Sequence, residues 1–300
     1  MNLSTALKVL IRALVFSCAI FPGTAAFPQD DLALVPVLQP LSNSDFVKFW
    51  TEPFKIVDSD RGKADAGGGD AGSPVPAGDT TYDGLVKRSV IRGLQDQKQL
   101  YLAPFRRSNL KWDALFLAGT AAFLATDRQI SRALPTNHME LARNISNVSL
   151  GSTSAALVGL WAYGIKTNDR HAKETGELEL ETLANTFLIY TPMQYAAGRE
   201  RPEEGTGNGR FWIHGGFNTS FPAGHPMFMW TMATVVAHEY PRTWVKLLAY
   251  GAASSVSAGR FFGRNHFASD IFVGSILGYL IGAHIFHSRC EPGVSEACRR

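Results

Sequence analysis

The chain has 300 residues, 45% hydrophobic and 18% charged, with 29 Lys and Arg against 26 Asp and Glu for a net charge of +3. That charge is too small, and shows no basic stripe, for a nucleic-acid binder, and three cysteines are too few for a disulfide-framework fold. A mean hydropathy of -0.03 excludes a chain made mostly of long apolar spans, while the apolar share is enough for a sizeable core.

Residues 1–26 read as a secretory signal peptide. Lys8 and Arg12 precede the apolar run Ala13 to Ile20, and Phe21-Pro22-Gly23-Thr24-Ala25-Ala26 supplies a small-residue cleavage site. The run is too short for a membrane span. Export to the periplasm or cell envelope would leave Cys290 and Cys298 as the remaining thiols in an oxidising compartment, either paired or free. Residues 27–81 read as an N-terminal extension and flexible linker. Asp58 to Asp79 is dominated by Gly, Ala, Asp, Ser and Pro, a composition that cannot bury enough apolar surface to offset chain entropy.

Residues 82–112 read as an amphipathic helix followed by a basic segment. Val86, Val90 and Leu94 recur at helical spacing over Leu85–Leu102, while Lys87, Arg88, Arg92 and Lys98 are basic, and Arg106, Arg107 and Lys111 follow. Such a helix either rests on an anionic membrane surface or packs on the folded domain. Residues 113–288 carry six helical blocks: Ala114–Thr126, Ile145–Ile165, Leu178–Ala197, Pro226–Tyr240, Trp244–Ala258 and Asp270–His287. Sustained alternation is scarce, so the fold class is all-α, a six-helix bundle. Residues 289–300 form a C-terminal tail. Most blocks fall short of the ~20 apolar residues of a span, and the second holds Ser146, Asn147, Ser149, Ser152, Thr153 and Ser154. A buried helical core is therefore favoured over a polytopic one.

The residues that carry chemistry fall in three clusters at helix boundaries. Arg199-Glu200-Arg201-Pro202 ends the third block. Ser220-Phe221-Pro222-Ala223-Gly224-His225 opens the fourth, where Gly224 permits close backbone approach and free helix N–H groups make an anion site. Gly259-Arg260, then His266, then Asp270 opens the sixth. His266 and Asp270 are four apart and share a helix face, so the carboxylate can fix the imidazole tautomer, while Arg260 can grip two phosphate oxygens. Taken singly, each cluster is as readily an ordinary helix boundary or a structural pair.

Together they resemble the signature of the type 2 phosphatidic acid phosphatase and vanadium haloperoxidase superfamily: Lys, six residues, Arg-Pro; Pro-Ser-Gly-His; Ser-Arg, five residues, His, three residues, Asp. The spacing holds in all three parts, with Arg201, Pro202, Pro222, Gly224, His225, Arg260, His266 and Asp270 retained over roughly Trp112 to Phe286. The resemblance implies a metal-independent phosphomonoester hydrolase without a cofactor. His266 would attack phosphorus to form a phosphohistidine and Asp270 would orient it. His225 would protonate the leaving oxygen, and Arg201, Arg260 and the Gly224 N–H would bind phosphate. The implied partner is a phosphate ester, lipid or small and soluble, with a membrane surface as a second contact. His284 and His287 are read as surface or core residues.

Three positions depart from that pattern. Gln194 stands where the family has Lys, Ala223 where it has Ser, and Gly259 where it has Ser. Losing the Ser hydroxyl removes about 1–3 kcal/mol of phosphate binding. Arg199 and Arg264 are close enough in sequence to be candidates for compensation. The reading is a working but weakened phosphatase. The alternatives are an inactive exported anion-binding protein of the same fold, or a vanadium haloperoxidase, for which vanadate would be cofactor rather than inhibitor. The insert Glu203 to Phe217 reads as a rim of the active site, with Phe211 and Trp212 available to an acyl chain or membrane. Membrane members of the family carry six spans with the site outside and the N-terminus inside. A cleaved signal is in tension with that topology, and a periplasmic domain avoids the conflict.

Overall fold

The computed structural model describes residues 82–299. The signal-peptide, extension and linker assignments lie outside the described residues. Seven α-helices follow in chain order, with no strand among the described residues. They are α1 (Tyr82–Leu102), α2 (Leu110–Ala133), α3 (Met139–Thr167), α4 (Arg170–Ala197), α5 (Gly224–Glu239), α6 (Thr243–Phe262) and α7 (Ala268–Arg289). Helices α2 to α7 are the six expected blocks, and the fold class is all-α.

The helices outrun the apolar blocks because polar residues at their ends extend them. Asp169 caps α4 by accepting from the His171 and Ala172 N–H groups at 3.1 and 3.2 Å. Polar Arg170 to Glu177 then form its first turns. The first apolar block ends at Thr126, yet α2 continues through Asp127 to Ala133.

α5 is the core helix. It packs on α4, α6 and α7, and Met227, Met229, Met232 and Val235 are fully buried. Met227 and Val235 join Leu178, Ile281, Ile285 and Phe286 in one cluster; Met229 and Met232 join Ala253 and Val256 in another. α1 packs on the body. Gln97 donates to the Asn185 side chain at 2.7 Å, and Asp96, fully buried, pairs with Arg289.

The expectation of helices buried in a core fails for α3. Its apolar window is only 6% buried, against 39% for α7, and both helices are long and apolar enough to cross a membrane. Leu115 and Leu117 on α2, Val148 and Val158 on α3, and Leu247 and Leu248 on α6 are all exposed. The reason is a lack of covering layers: α3 packs mainly on α4 and α6, and its remaining apolar face has nothing on it among the described residues. In the C-terminal tail Cys290 and Cys298 are paired in a disulfide.

Candidate active site

The start of α5, the end of α6, the turn before α7 and the segment after α4 meet at one end of the bundle. α5 begins at Ala223, which has extended backbone and offers no side-chain cap. Its first N–H groups are therefore unclaimed by a side chain and point at the site. Gly224 is required there, because a Cβ would lie 2.8 Å from the Tyr190 hydroxyl oxygen.

His266 is 5% exposed. Its Nδ1 lies 2.7 Å from the Ser220 carbonyl oxygen, which can only accept. Nδ1 therefore carries the proton, and Nε2 presents its lone pair beside Arg201 Nη1 at 3.4 Å. Arg201 is held by the carbonyl of Asn265 at 3.1 Å and by Asn218 Oδ1 at 2.7 Å. Arg260 donates to Asn147 Oδ1, and its buried Nε has no partner among the described residues.

Asp270 reaches His266 differently from expectation. Its Oδ2 is 4.0 Å from His266 Nδ1, too far for a hydrogen bond. Instead Oδ2 accepts from the Ser220 hydroxyl at 2.6 Å and from the Phe267 N–H at 2.8 Å. The carboxylate holds Ser220, and the Ser220 carbonyl holds the imidazole.

The three departures have structural counterparts. The Gln194 amide donates to the Pro222 carbonyl at 2.8 Å and accepts from the Thr219 N–H at 2.6 Å. It braces the 219–222 turn through one of its two N–H donors and its carbonyl oxygen. Ala223 is fully buried and donates its N–H to the Asp270 carbonyl at 3.0 Å. At Gly259 a Cβ would sit 2.6 Å from the Ala142 carbonyl oxygen and 2.8 Å from Ser146 Cβ, so close packing of α6 on α3 leaves no room for Ser. Arg199 does not compensate at the phosphate face: its guanidinium is 2% exposed and paired with Asp127 and Asp270.

Burial and the neighbouring guanidiniums set the titration of the site. Burial, then Arg201 and Arg260, hold the His266 imidazole well below its ordinary range despite the bond from Ser220. His225 is lowered to about 3 by burial, Arg260 and Arg201. Arg260 is lowered to about 10 by burial and by Arg201 and Arg143. Asp270 is raised to about 6 by burial, against the opposing pull of Arg199.

The structure thus brings together His225, Gly224, Arg201, Arg260, His266 and Asp270. Gln194 bonds to the 219–222 turn beside them, and Ala223 precedes the first turn of α5. It adds Ser220, Ser269, Asp127, Asn147 and Arg143, none of which was singled out for a role. Ser220 was visible beside its motif; Asp127, Asn147 and Arg143 lie on α2 and α3, where nothing in the sequence pattern tied them to the clusters. The insert borders the site: Glu203 pairs with Arg143, and Glu200 accepts the Thr206 N–H at 2.6 Å. Phe211 packs over Arg199 and is committed, while Trp212 is 83% exposed.

Residues 180–291 match the PAP2 superfamily. The family read from the three motifs is the family matched, and α4 to α7 carry the match, whereas the resemblance had been drawn from Trp112. No curated protein matches the chain. One solved structure, "Crystal structure of the first transmembrane PAP2 type phosphatidylglycerolphosphate phosphatase from Bacillus subtilis", is 20% identical. It covers 68% of this chain and 98% of its own, with a TM-score of 0.42. The PAP2 match supports a phosphatase-type hydrolase acting on phosphate esters.

Proposed function

We propose that the protein hydrolyses phosphomonoesters through a phosphohistidine on His266. The observation that carries this is the neutral, singly protonated imidazole whose Nε2 faces Arg201 at the mouth of the α5 N-terminus. Nε2 donates its electron pair to phosphorus, the P–O ester bond breaks, and the leaving oxygen takes a proton from His225. Water then loses a proton to His225 and attacks phosphorus. The P–N bond breaks, its electron pair returns to His266, and phosphate leaves. Arg201, Arg260 and the first N–H groups of α5 neutralise the equatorial oxygens as charge builds. Burial, Arg260 and Arg201 together hold the free His225 deprotonated near neutral pH. A bound phosphate dianion offsets the two guanidinium charges and so favours loading of the general acid with substrate in place.

Charge neutralisation in this scheme comes from guanidinium and backbone groups, so no step calls for a metal. Vanadate would take the same seat against His266, Arg201 and Arg260. With the lysine position held by an uncharged Gln194, we read vanadate as an inhibitor rather than a cofactor. That loss of charge also favours the second reading, an anion-binding protein with weakened catalysis.

The substrate we favour is a lipid phosphate, and the body lies in a membrane with its site at one face. Each of α2 to α7 carries a stretch without Asp, Glu, Lys, Arg or His, namely 114–126, 144–165, 182–198, 226–237, 247–259 and 271–283. The catalytic groups lie just outside these stretches. An apolar groove of about 510 Å³, lined by Phe123, Trp230, Phe261, Ile271, Phe272 and Tyr279, opens beside chain neighbours of Arg260 and His266 and offers a place for an acyl chain.

The test is phosphate release from a short-chain lipid phosphate and from a soluble aryl phosphate, with the acid-labile phosphoenzyme trapped on the purified protein. Wild type should form it. His266→Ala should lose it, together with about 10³-fold or more of the rate. A His266→Ala variant as active as wild type overturns the mechanism. Release of the body from membranes by a carbonate wash overturns the membrane assignment.

A further inference from the structure

Helix α2 lies outside the PAP2-matched residues 180–291 and outside all three motifs, yet it sends one carboxylate under the site. Asp127 is 2% exposed. Its Oδ2 accepts from Arg199 Nη2 at 2.7 Å and from the Ser269 hydroxyl, and its Oδ1 accepts from the Ser269 N–H at 3.0 Å. Arg199 spends its remaining donors inward as well. Nη1 goes to Asp270 Oδ1 and to Ser269 Oγ at 2.7 Å, and Nε to the Gly209 carbonyl at 3.2 Å. The rings of Phe211 and Phe267 cover the guanidinium at 4.8 and 4.5 Å.

A buried guanidinium between two buried carboxylates is costly to assemble and more costly to break, because each partner removed strands a charge. Its geometry is correspondingly stiff. The two carboxylates do different work. Asp270 faces Ser220 and the turn before α7, whereas Asp127 touches nothing on the phosphate face. Asp127 sets where Arg199 and Ser269 sit; they set where the Asp270 carboxylate sits; Asp270 holds the Ser220 hydroxyl, and the Ser220 carbonyl takes the His266 Nδ1 proton.

We propose that Asp127 is a positioning residue for His266, acting through Arg199, Ser269, Asp270 and Ser220. This rests on the phosphohistidine reading for its kinetic consequence, but its geometric consequence can be read without turnover. Displacing a reacting atom by about an ångström costs on the order of 100-fold in rate. An amide at position 127 would aim two N–H donors at Arg199 and Ser269, which also donate.

The experiment compares wild type with Asp127→Asn and Ser269→Ala in the full chain, solubilised in detergent. Asp127→Asn should lower kcat about 10- to 100-fold. Its KM and vanadate inhibition constant should stay within about threefold, because Arg201 and Arg260 are untouched. Ser269→Ala removes one hydroxyl and should fold normally, with kcat down by a smaller factor in the same pattern. Imidazole ¹⁵N shifts of His266 should report one Nδ1–H tautomer in wild type and a mixture in Asp127→Asn. If wild type releases no phosphate but the tautomer still changes, the positioning stands and the phosphohistidine reading falls. If wild type is active and the folded variants keep both its kcat and its His266 tautomer, the positioning falls. A rise in KM and in the vanadate constant that accounts for all lost activity also overturns it, since that would place the effect on phosphate binding.

Discussion

The two ends of α4 and α5 bury charge in opposite ways. At the site end Arg199 is matched by Asp127 and Asp270, and neither Asp has an oxygen left without a partner. At the far end Glu174, Glu179 and Glu239 are all buried, and His171 Nε2 lies 2.8 Å from Glu239 Oε2. There both oxygens of Glu179, Oε1 of Glu239 and Oε2 of Glu174 have no hydrogen-bond partner among the described residues. A satisfied network is rigid and expensive to break, whereas an unsatisfied one costs stability and can be replaced with profit. The satisfied end is the one that carries the proposed catalytic groups. Preorganisation is concentrated where an imidazole must be aimed.

Breaking the satisfied end should have the larger effect. Arg199→Met strands two buried carboxylates and should destabilise by about 3–5 kcal/mol, read as a lower midpoint of thermal or denaturant unfolding. An unchanged midpoint would mean the network carries no stability. At the other end Glu179→Met removes an unpartnered carboxyl from an apolar setting. It should raise stability by about 1–3 kcal/mol and leave phosphate release unaltered. A fall in stability there would show that the far end is satisfied by something bound to it, and the contrast between the ends would dissolve.

A smaller effect is expected on the phosphate face itself. Ala223→Ser restores the missing hydroxyl and should raise kcat/KM by up to about tenfold, the lower end of what such a donor supplies. A fall would mean that this fully buried position has no room for the added oxygen. The pH profile sharpens the same contrast. Because burial, Arg201 and Arg260 hold His266 well below its ordinary range, the nucleophile stays neutral as pH falls through about 6.5. Phosphoenzyme formation should not lose its nucleophile there. The same depression has a cost in stability: below about 6.5 the unfolded imidazole takes up a proton that the folded one refuses. This contribution to unfolding free energy should therefore decline as pH falls. Rapid-quench labelling and urea titrations at matched pH values check the two statements separately.

Much of the site was legible because spacing along a helix survives folding. His266 and Asp270 four apart, Gly224 before His225, and Arg201 before Pro202 each mark one end of a helix, and three such ends converge. What spacing could not convey is which of two nearby groups does the work. Asp270 was assigned to His266 on the i, i+4 rule, yet the turn carrying Ser220 comes between them. Arg199 and Arg201 differ by two residues and point to opposite sides of their segment, one into the buried network and one to the phosphate face. Gln194 reads as a weakened phosphate ligand, but its amide has been recruited to brace the 219–222 turn.

The sequence by itself determined that the chain is helical, that three residue clusters fall at helix ends, and that these clusters lie within the residues matching the PAP2 superfamily. Local periodicity and fixed motif spacing are enough for that, because both are properties of single helices. Only the tertiary structure decided that Asp127 lies beneath the site, that His266 is held through Ser220, and that α3 shows an uncovered apolar face. Those facts depend on which helix lies against which. Hydrogen-bond partners 50 to 140 residues apart leave no periodic trace along the chain.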